Sequence, residues 1–338
     1  MTILSDVRSF ENVANLVDTL PDADSAAADA AHTRQNSLTK PPASLGQLED
    51  LAEFMASWQR VEKPTIDKAQ ALVFAGNHGV CAKGVNPFPQ EVTFQMVANF
   101  EAGGAAINQL CRASGADLSV VALDLETPTQ DISETAAMTE AETMDAMQRG
   151  AAAVDKDASV LVLGEMGIGN STIAAALACA GFGGDAAGWV GRGTGSDKDG
   201  QALKARIVAQ AVARHKTARG LQMLAALGGR EQAAICGAVL QARALSIPVL
   251  LDGYICTASV VPLHDLNPKL LDHCLVGHSS AEPGHARMLS EMKKTPILSL
   301  GMALGEGSGA ALALGVLRAA LECHNGMATF AEAGVSGG

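Results

Sequence analysis

The 338-residue chain carries 24 Lys and Arg against 36 Asp and Glu, a formal net charge of −12. This charge argues against nucleic acid or an anionic membrane surface as the main partner, because both require basic patches. Apolar residues make up 48% of the chain but aromatic residues only 3%, so we expect a large core of Ala, Val, Leu and Met. The length allows one large domain or two medium ones.

The seven cysteines are scattered along the chain without a CxxC pair. An odd, dispersed set favours reduced thiols in a cytoplasmic protein over a disulfide framework. The first residues lack the basic and apolar regions of a signal peptide. No apolar run reaches the roughly 18 residues of a membrane span. We therefore expect a cytoplasmic protein without a membrane segment.

In chain order, residues 1–60 are predicted to be helical, with an alanine-rich stretch at 26–31 and an amphipathic helix at 45–58. From about residue 70, short apolar runs alternate with longer helical segments. The predicted strands are residues 71–74, 118–123, 160–163, 248–251, 274–276 and 297–300, and the long helices include 201–227 and 231–245. Residues 124–140 are polar and predicted to form a loop. This alternation, with almost no hairpin signals, predicts an α/β fold with a mainly parallel sheet covered by helices on both faces.

His78 follows the first predicted strand and is the histidine best placed to meet a ligand. A hydrogen-bonded turn residue is the more common role for such a histidine. The sequence has no HExxH motif and no paired Cys/His spacing, so no metal site is predicted.

A glycine-rich turn, GEMGIGNST from Gly164 to Thr172, joins the strand at 160–163 to an alanine-rich helix. Backbone N–H groups converge at such a helix start, and the helix dipole favours an anion there. The side chains of Asn170, Ser171 and Thr172 can cap the helix or bind a phosphate. The turn matches neither a P-loop nor a clean dinucleotide fingerprint. We interpret it as a phosphate-binding turn, with an ordinary capped turn as the alternative.

Two further segments lie at predicted strand ends. Residues 191–195, GRGTG, precede a helix on which Lys204 is a candidate cation, although most such lysines are only solvated. Ser279 and Ser280 follow the strand at 274–276, where hydroxyl groups suit a sugar or a phosphate and equally suit a helix cap.

A single carboxylate, Glu306, stands among three glycines in LGEGSG, residues 304–309. Glycines allow a ligand or a second backbone to approach closely. A partly buried carboxylate has a raised pKa and suits general-base chemistry. The alternative is a helix-start glutamate that the macrodipole stabilises. Because the carboxyl ends of strands line the ligand crevice of doubly wound folds, these segments together predict a ligand with a phosphate, a sugar and an apolar part.

Over residues 40–335 the chain resembles the nicotinate-nucleotide–dimethylbenzimidazole phosphoribosyltransferase family, whose members make the lower-ligand nucleotide of cobalamin. The resemblance rests on segments that occur in the family's order: KPPASLG (40–46), NHGV (77–80), GEMGIGN (164–170), GRGTG (191–195), LDG (251–253), HSSAE (278–282) and LGEGSG (304–309). It implies that 5-phosphoribosyl moves from nicotinate mononucleotide to 5,6-dimethylbenzimidazole. The products would be nicotinate and α-ribazole 5′-phosphate, with inversion at the anomeric carbon.

The resemblance also implies roles for particular residues. Glu306 would be the general base. The phosphate and nucleotide would be bound by Glu165, Gly167, Asn170, Ser171, Thr172, Lys204, Ser280 and Gly305. The aromatic base would lie against His78, Phe88, Gln95, Met96 and Leu304, since the region from Phe88 to Met96 is apolar enough to hold a flat ring.

The family fold is a Rossmann-like parallel sheet with a small helical domain, and its members form homodimers. We accordingly expect residues 1–65 and 321–338 to build the helical domain, residues 66–320 to build the catalytic domain, and the protein to be a homodimer. Nicotinate leaves from a ring nitrogen that already carries positive charge, so no metal or other cofactor is expected. The expected partners are small-molecule substrates.

Three alternatives remain open. A nicotinamide-dependent dehydrogenase would use the glycine-rich turns, but the chain lacks a clean dinucleotide fingerprint. A non-catalytic nucleotide-binding module would not need Glu306. A related transferase would use another acceptor, such as benzimidazole, adenine or a phenolic compound.

Overall fold

The computed structural model describes residues 2–193 and 195–336. Within these ranges six strands form a single sheet: β1 (Ala69–Ala75), β2 (Ala116–Ala122), β3 (Val160–Met166), β4 (Val249–Leu251), β5 (Cys274–His278) and β6 (Pro296–Leu298). The strand order is β2-β1-β3-β4-β5-β6, and each neighbouring pair is parallel. The predicted parallel α/β sheet is confirmed.

Helices surround the sheet. They are α1 (Phe10–Leu16), α2 (Ser25–Ser37), α3 (Gln47–Gln59), α4 (Glu91–Glu101), α5 (Ala106–Ser114), α6 (Glu140–Ala153), α7 (Asn170–Phe182), α8 (Lys198–Arg214), α9 (Gly220–Leu227), α10 (Arg230–Ala244), α11 (Tyr254–Ser259), α12 (Val261–Leu266), α13 (Pro283–Glu291), α14 (Ser308–Gly326) and α15 (Phe330–Ala333).

The single helix predicted over residues 201–227 is wrong, because the chain breaks between α8 and α9. The ring of His215 contacts the carbonyl oxygen of Ile132 at 3.1 Å. Gly220 has a left-handed φ of +50°, and its N–H donates to Asp265 Oδ2 at 2.7 Å. These tertiary contacts override the local helical preference of an alanine-rich segment.

The sheet is buried on both faces, and its side chains alternate between two cores. In β1, Leu72 and Phe74 join one core, whereas Ala71 and Val73 join the other. The first core also contains α6, α7 and α10, and the second contains α3, α5 and α14. This double burial is why the strands read as continuous apolar runs.

Small residues let the helices pack closely in a core that has few aromatic side chains. A side chain at Gly150 of α6 would overlap the backbone of Ala234 in α10, and one at Gly237 of α10 would overlap the backbone of Met147 in α6. The two helices therefore touch through their backbones, which only glycine permits.

The two ends of the chain meet. Arg34 of α2 donates from Nε to the carbonyl oxygen of His324 at 2.8 Å, and Leu38 forms an antiparallel bridge with Thr329. Division into a helical domain and a catalytic domain stays a prediction. None of the helices in the described ranges has the length and apolar character that a membrane span requires.

Candidate active site

An open cavity of about 830 Å³ lies beyond the carboxyl ends of β3, β4, β5 and β6. It is next to the point between β1 and β3 where the strand order reverses. Doubly wound sheets bind their ligands in this crevice. Eight of the predicted site residues line it: Glu165, Gly167, Asn170, Ser171, Ser280, Leu304, Gly305 and Glu306.

Glu306 is held in an unusual backbone conformation at the wall of this cavity. Its φ is +64°, in the left-handed region, and the glycines on either side both have φ of +83°. A non-glycine residue in this region costs about 1–3 kcal/mol, which the surrounding structure must offset. The side chain is only 7% exposed, and burial raises the pKa of its carboxyl group. A partly buried carboxylate with a raised pKa is suited to general-base chemistry.

Asp252, at the end of β4, fixes the backbone around Glu306. Its Oδ2 accepts the N–H of Gly307 at 3.1 Å, and its Oδ1 accepts the N–H of Ala310 at 2.9 Å. The carboxylate thus caps α14 directly after Glu306. Burial raises the pKa of Asp252 to about 7, although these N–H donors oppose the shift. No sequence motif assigned a role to Asp252. Its position directly after a buried strand is the sequence feature that places it near the cavity.

Gly164 of β3 allows the Glu306 segment to lie directly against the sheet. A Cβ atom at Gly164 would lie 2.6 Å from the carbonyl oxygen of Glu306 and 2.5 Å from the nitrogen of Gly307. No side chain fits between the two backbones, so this contact fixes the height of Glu306 above the strand.

We expect Gly164→Ala to displace Glu306 and lower kcat by about 10²-fold, since a shift of about 1 Å at a reacting group has effects of this size. Overpacking should also lower stability by about 1–3 kcal/mol. The matched control is Gly315→Ala in α14, where a Cβ atom meets nothing within 4 Å. Steady-state kinetics and thermal unfolding check both variants. Parental kcat in Gly164→Ala would contradict the positioning role of this contact.

The turn at residues 167–171 has the features of an anion site. The N–H groups of Gly169 and Ser171 donate to no acceptor in the described parts of the chain. Gly169 has a φ of +95°, which lets the chain turn directly into α7. Free N–H groups at a helix start bind phosphate well.

Lys204 of α8 lies directly behind this turn. Its ammonium donates to Ser171 Oγ at 3.1 Å, and a Cβ atom at Gly193 would lie 3.0 Å from it. The side chain is 1% exposed, and no described carboxylate lies within 4 Å of its Nζ. Burial lowers the pKa of Lys204. A buried cation without a counter-ion favours an anion at the neighbouring turn. Lys204 does not line the cavity itself, and its ammonium is connected to the cavity wall through Ser171.

Glu165 faces the same cavity from the end of β3. It accepts a hydrogen bond from Asn170 Nδ2. Burial, and then the nearby carboxylates of Asp252 and Glu231, raise the pKa of Glu165 well above its ordinary value. The raised pKa favours the protonated form of Glu165, and a protonated carboxyl group can donate a hydrogen bond to a sugar hydroxyl.

Ser280 and Glu282 form the opposite side of the cavity. The N–H of Ser280 donates to His285 Nδ1 at 2.9 Å, and Glu282 Oε1 accepts the N–H of Gly193 at 2.9 Å. Glu282 therefore ties the segment after β5 to the glycine-rich segment at 191–193. Thr194 lies outside the described residues.

Two predicted ligand contacts need correction. His78 and Thr172 are both fully buried and neither lines the cavity. His78 lies beneath the turn, next to Glu231, and Thr172 points into the interior from the first turn of α7. Without exposed surface on the cavity, neither side chain touches a ligand there.

The residues on and before α4 that were predicted to contact the aromatic base are also not among those that line the cavity. Phe88 is 47% exposed and lines a separate surface depression. Gln95 is exposed, and Met96 packs against the core. Their contact with the base stays a prediction. In the described ranges, no group of three or more His, Cys, Asp or Glu side chains is arranged to hold a metal ion.

Comparisons with known proteins agree with this geometry. A family model described as phosphoribosyltransferase matches residues 20–335. The nicotinate-nucleotide–dimethylbenzimidazole phosphoribosyltransferase of Rhodobacter capsulatus is 63% identical over 330 residues, covering 98% of this chain and 99% of that protein. The enzyme of the same name from Ruegeria pomeroyi is 55% identical over 335 residues, covering 99% of each.

The solved structures give the same answer. A crystal structure of the enzyme of this name from Thermus thermophilus matches with a TM-score of 0.87 and 39% identity, covering 93% of this chain and 100% of that chain. The chain therefore belongs to the nicotinate-nucleotide–dimethylbenzimidazole phosphoribosyltransferase family of enzymes.

Proposed function

We propose that this protein transfers the 5-phosphoribosyl group of nicotinate mononucleotide to 5,6-dimethylbenzimidazole. The products are nicotinate and α-ribazole 5′-phosphate, the lower-ligand nucleotide of cobalamin. The bond between the anomeric carbon and the pyridinium nitrogen breaks, and its electron pair neutralises that nitrogen. The benzimidazole nitrogen bonds to the opposite face of the anomeric carbon, which inverts its configuration.

The observation that carries this proposal is the buried carboxylate of Glu306 at the cavity wall. The incoming benzimidazole must lose its N–H proton, and Glu306 accepts it. Neither a non-catalytic nucleotide-binding module nor a hydride-transferring dehydrogenase would need a buried carboxylate on a backbone held in the left-handed region at this position. Leu304, which is 56% exposed beside Glu306, offers apolar surface for the aromatic acceptor.

The phosphate end of the donor lies at the turn of residues 167–171. The free N–H groups of Gly169 and Ser171 bind the phosphate oxygens, and Lys204 supplies positive charge through Ser171. Glu165 and Ser280 reach the ribose between the two ends. Binding of the distant phosphate orients the anomeric carbon for in-line attack.

The test is an incubation of the protein with nicotinate mononucleotide and a panel of acceptors: 5,6-dimethylbenzimidazole, benzimidazole, adenine and a phenol. Released nicotinate and the α-linked nucleotide are identified by mass spectrometry and NMR. We expect the fastest transfer to 5,6-dimethylbenzimidazole, and the same rate after dialysis against a chelator. Binding of the nucleotide without release of nicotinate would support the non-catalytic alternative, and loss of activity on chelation would contradict the metal-free reaction.

We also propose that the protein is a cytoplasmic homodimer. The seven cysteines are all free thiols, as expected in a reducing compartment. Light scattering should give about twice the 34.5 kDa mass of the chain. A fully active monomer would contradict the dimer.

A further inference from the structure

A buried pair of polar side chains, His78 and Glu231, lies outside the reaction described above. Nε2 of His78 and Oε1 of Glu231 are 2.6 Å apart, and both side chains are completely buried. His78 follows β1, and Glu231 lies in the first turn of α10. Gln232 donates to the same Oε1 atom at 2.8 Å. A buried polar pair adds little net stability compared with apolar residues of similar volume, so stability alone does not account for this one.

The pair fills a space that three glycines from different segments leave open. A Cβ atom at Gly167 would lie 3.0 Å from His78 Nε2 and 3.1 Å from Glu231 Oε1. Side chains at Gly76, after β1, or at Gly229, before α10, would overlap the Glu231 carboxylate. The two side chains therefore set the spacing between the ends of β1 and β3 and the start of α10.

Gly167 is the first residue of the phosphate-binding turn. The next residue, Ile168, donates its N–H to Thr93 Oγ1 at 3.1 Å, and Gln90 donates a hydrogen bond to the backbone oxygen of His78. The turn is thus fixed by α4 from one side and by the His78–Glu231 pair from below. A shift of Gly167 would move the free N–H groups of Gly169 and Ser171 with it.

We propose that His78 and Glu231 are positioning residues that hold the turn of residues 167–171 in the geometry that binds the 5′-phosphate of the donor. Neither side chain touches substrate, and both act through Gly167. This inference rests on the proposed function.

The test is Glu231→Gln, which keeps the size of the side chain and replaces its carboxyl group by an amide. We expect the KM for nicotinate mononucleotide to rise by about tenfold or more, because the binding groups are displaced. The KM for the aromatic base should stay within about twofold. Amide hydrogen exchange of residues 167–171, measured without substrate, should accelerate.

The matched control is Glu49→Gln, which breaks another buried pair, Lys40 Nζ to Glu49 Oε1 at 2.7 Å, outside the cavity wall. It should lower the Tm comparably and leave both KM values and the exchange of residues 167–171 unchanged. If Glu231→Gln behaves like this control, the pair is only structural and the proposal is wrong.

If Glu231→Gln does not fold, Glu231→Asp keeps the carboxyl group but withdraws it by one methylene, and the same measurements apply. Failure of both variants to fold would make the pair a folding element and overturn the proposal. The proposed function fails differently, as an absence of transfer by the parent protein. In that case hydrogen exchange still reports whether the pair holds the turn.

Discussion

Replacing Glu306 by glutamine is expected to lower kcat by about 10²–10⁴-fold, which is the usual contribution of a positioned general base. Glutamine has nearly the same shape but cannot accept the benzimidazole proton. The KM values for both substrates should stay within about threefold, because no binding contact is removed. Steady-state kinetics with nicotinate mononucleotide and 5,6-dimethylbenzimidazole measure both constants.

The matched control for this variant is Glu322→Gln, an exposed position on α14, the helix that follows Glu306, and it should retain the parental rate. A Glu306→Gln protein that turns over within threefold of the parent would remove Glu306 from the role of base.

The pH dependence of turnover is a second test of Glu306 as the general base. Burial raises the pKa of Glu306, and only its ionised form accepts a proton. Turnover should therefore fall as the pH drops through this raised pKa, at a higher pH than an exposed glutamate would give. Asp252 and Glu165 also have raised pKa values. The fall of turnover at low pH is assigned to Glu306 if it disappears in Glu306→Gln. A fall that remains at the same pH in this variant would assign it to another group.

Replacing Lys204 by alanine is expected to raise the KM for nicotinate mononucleotide by roughly 10–150-fold, the equivalent of about 1.5–3 kcal/mol for a charged hydrogen-bonding group. The physical reason is the loss of the only described cation hydrogen-bonded to Ser171, beside the free N–H groups of the turn. Nicotinate riboside, which lacks the phosphate, should be a poor donor for the parent protein. Its use should be little changed by Lys204→Ala, because it has no anion for the lysine to stabilise.

Lys198→Ala, at the exposed start of the same helix, is the matched control and should leave the KM for the nucleotide unchanged. Equal reaction of riboside and nucleotide in the parent protein would contradict the phosphate site. An unchanged KM for the nucleotide in Lys204→Ala would limit Lys204 to a structural role.

Local patterns were sufficient for the sheet. The strands with buried faces on both sides, β3 above all, appear as short apolar runs followed by glycine, and such runs predict parallel strands. The same logic put Glu306 and the turn at residues 164–172 at strand ends, and the structure brings both to one cavity. It failed at the helix over 201–227, because the contacts that end α8 come from residues far away in the chain.

The residues around the site show where local reasoning stops. His78 follows a strand in a glycine-containing segment, as a ligand-binding residue would. His78 is buried beneath Gly167 because α10, with Glu231 in its first turn, packs against it in the folded protein. Asp252 has no motif of its own, and its role exists only because the start of α14 lies within hydrogen-bonding distance.

The sequence by itself determined the α/β class, the parallel sheet, the glycine-rich turns and, through its resemblance to a family, the reaction to expect. These depend on local periodicity and on motifs that short segments carry. Only the tertiary structure decided which side chains face the cavity and which lie one layer behind it, as Lys204, His78 and Thr172 do. Burial and charge at a site are sums over segments distant in the chain. The raised pKa of Glu306 and the burial of Lys204, with no described carboxylate within 4 Å of its Nζ, therefore arise only when the strands and helices come together.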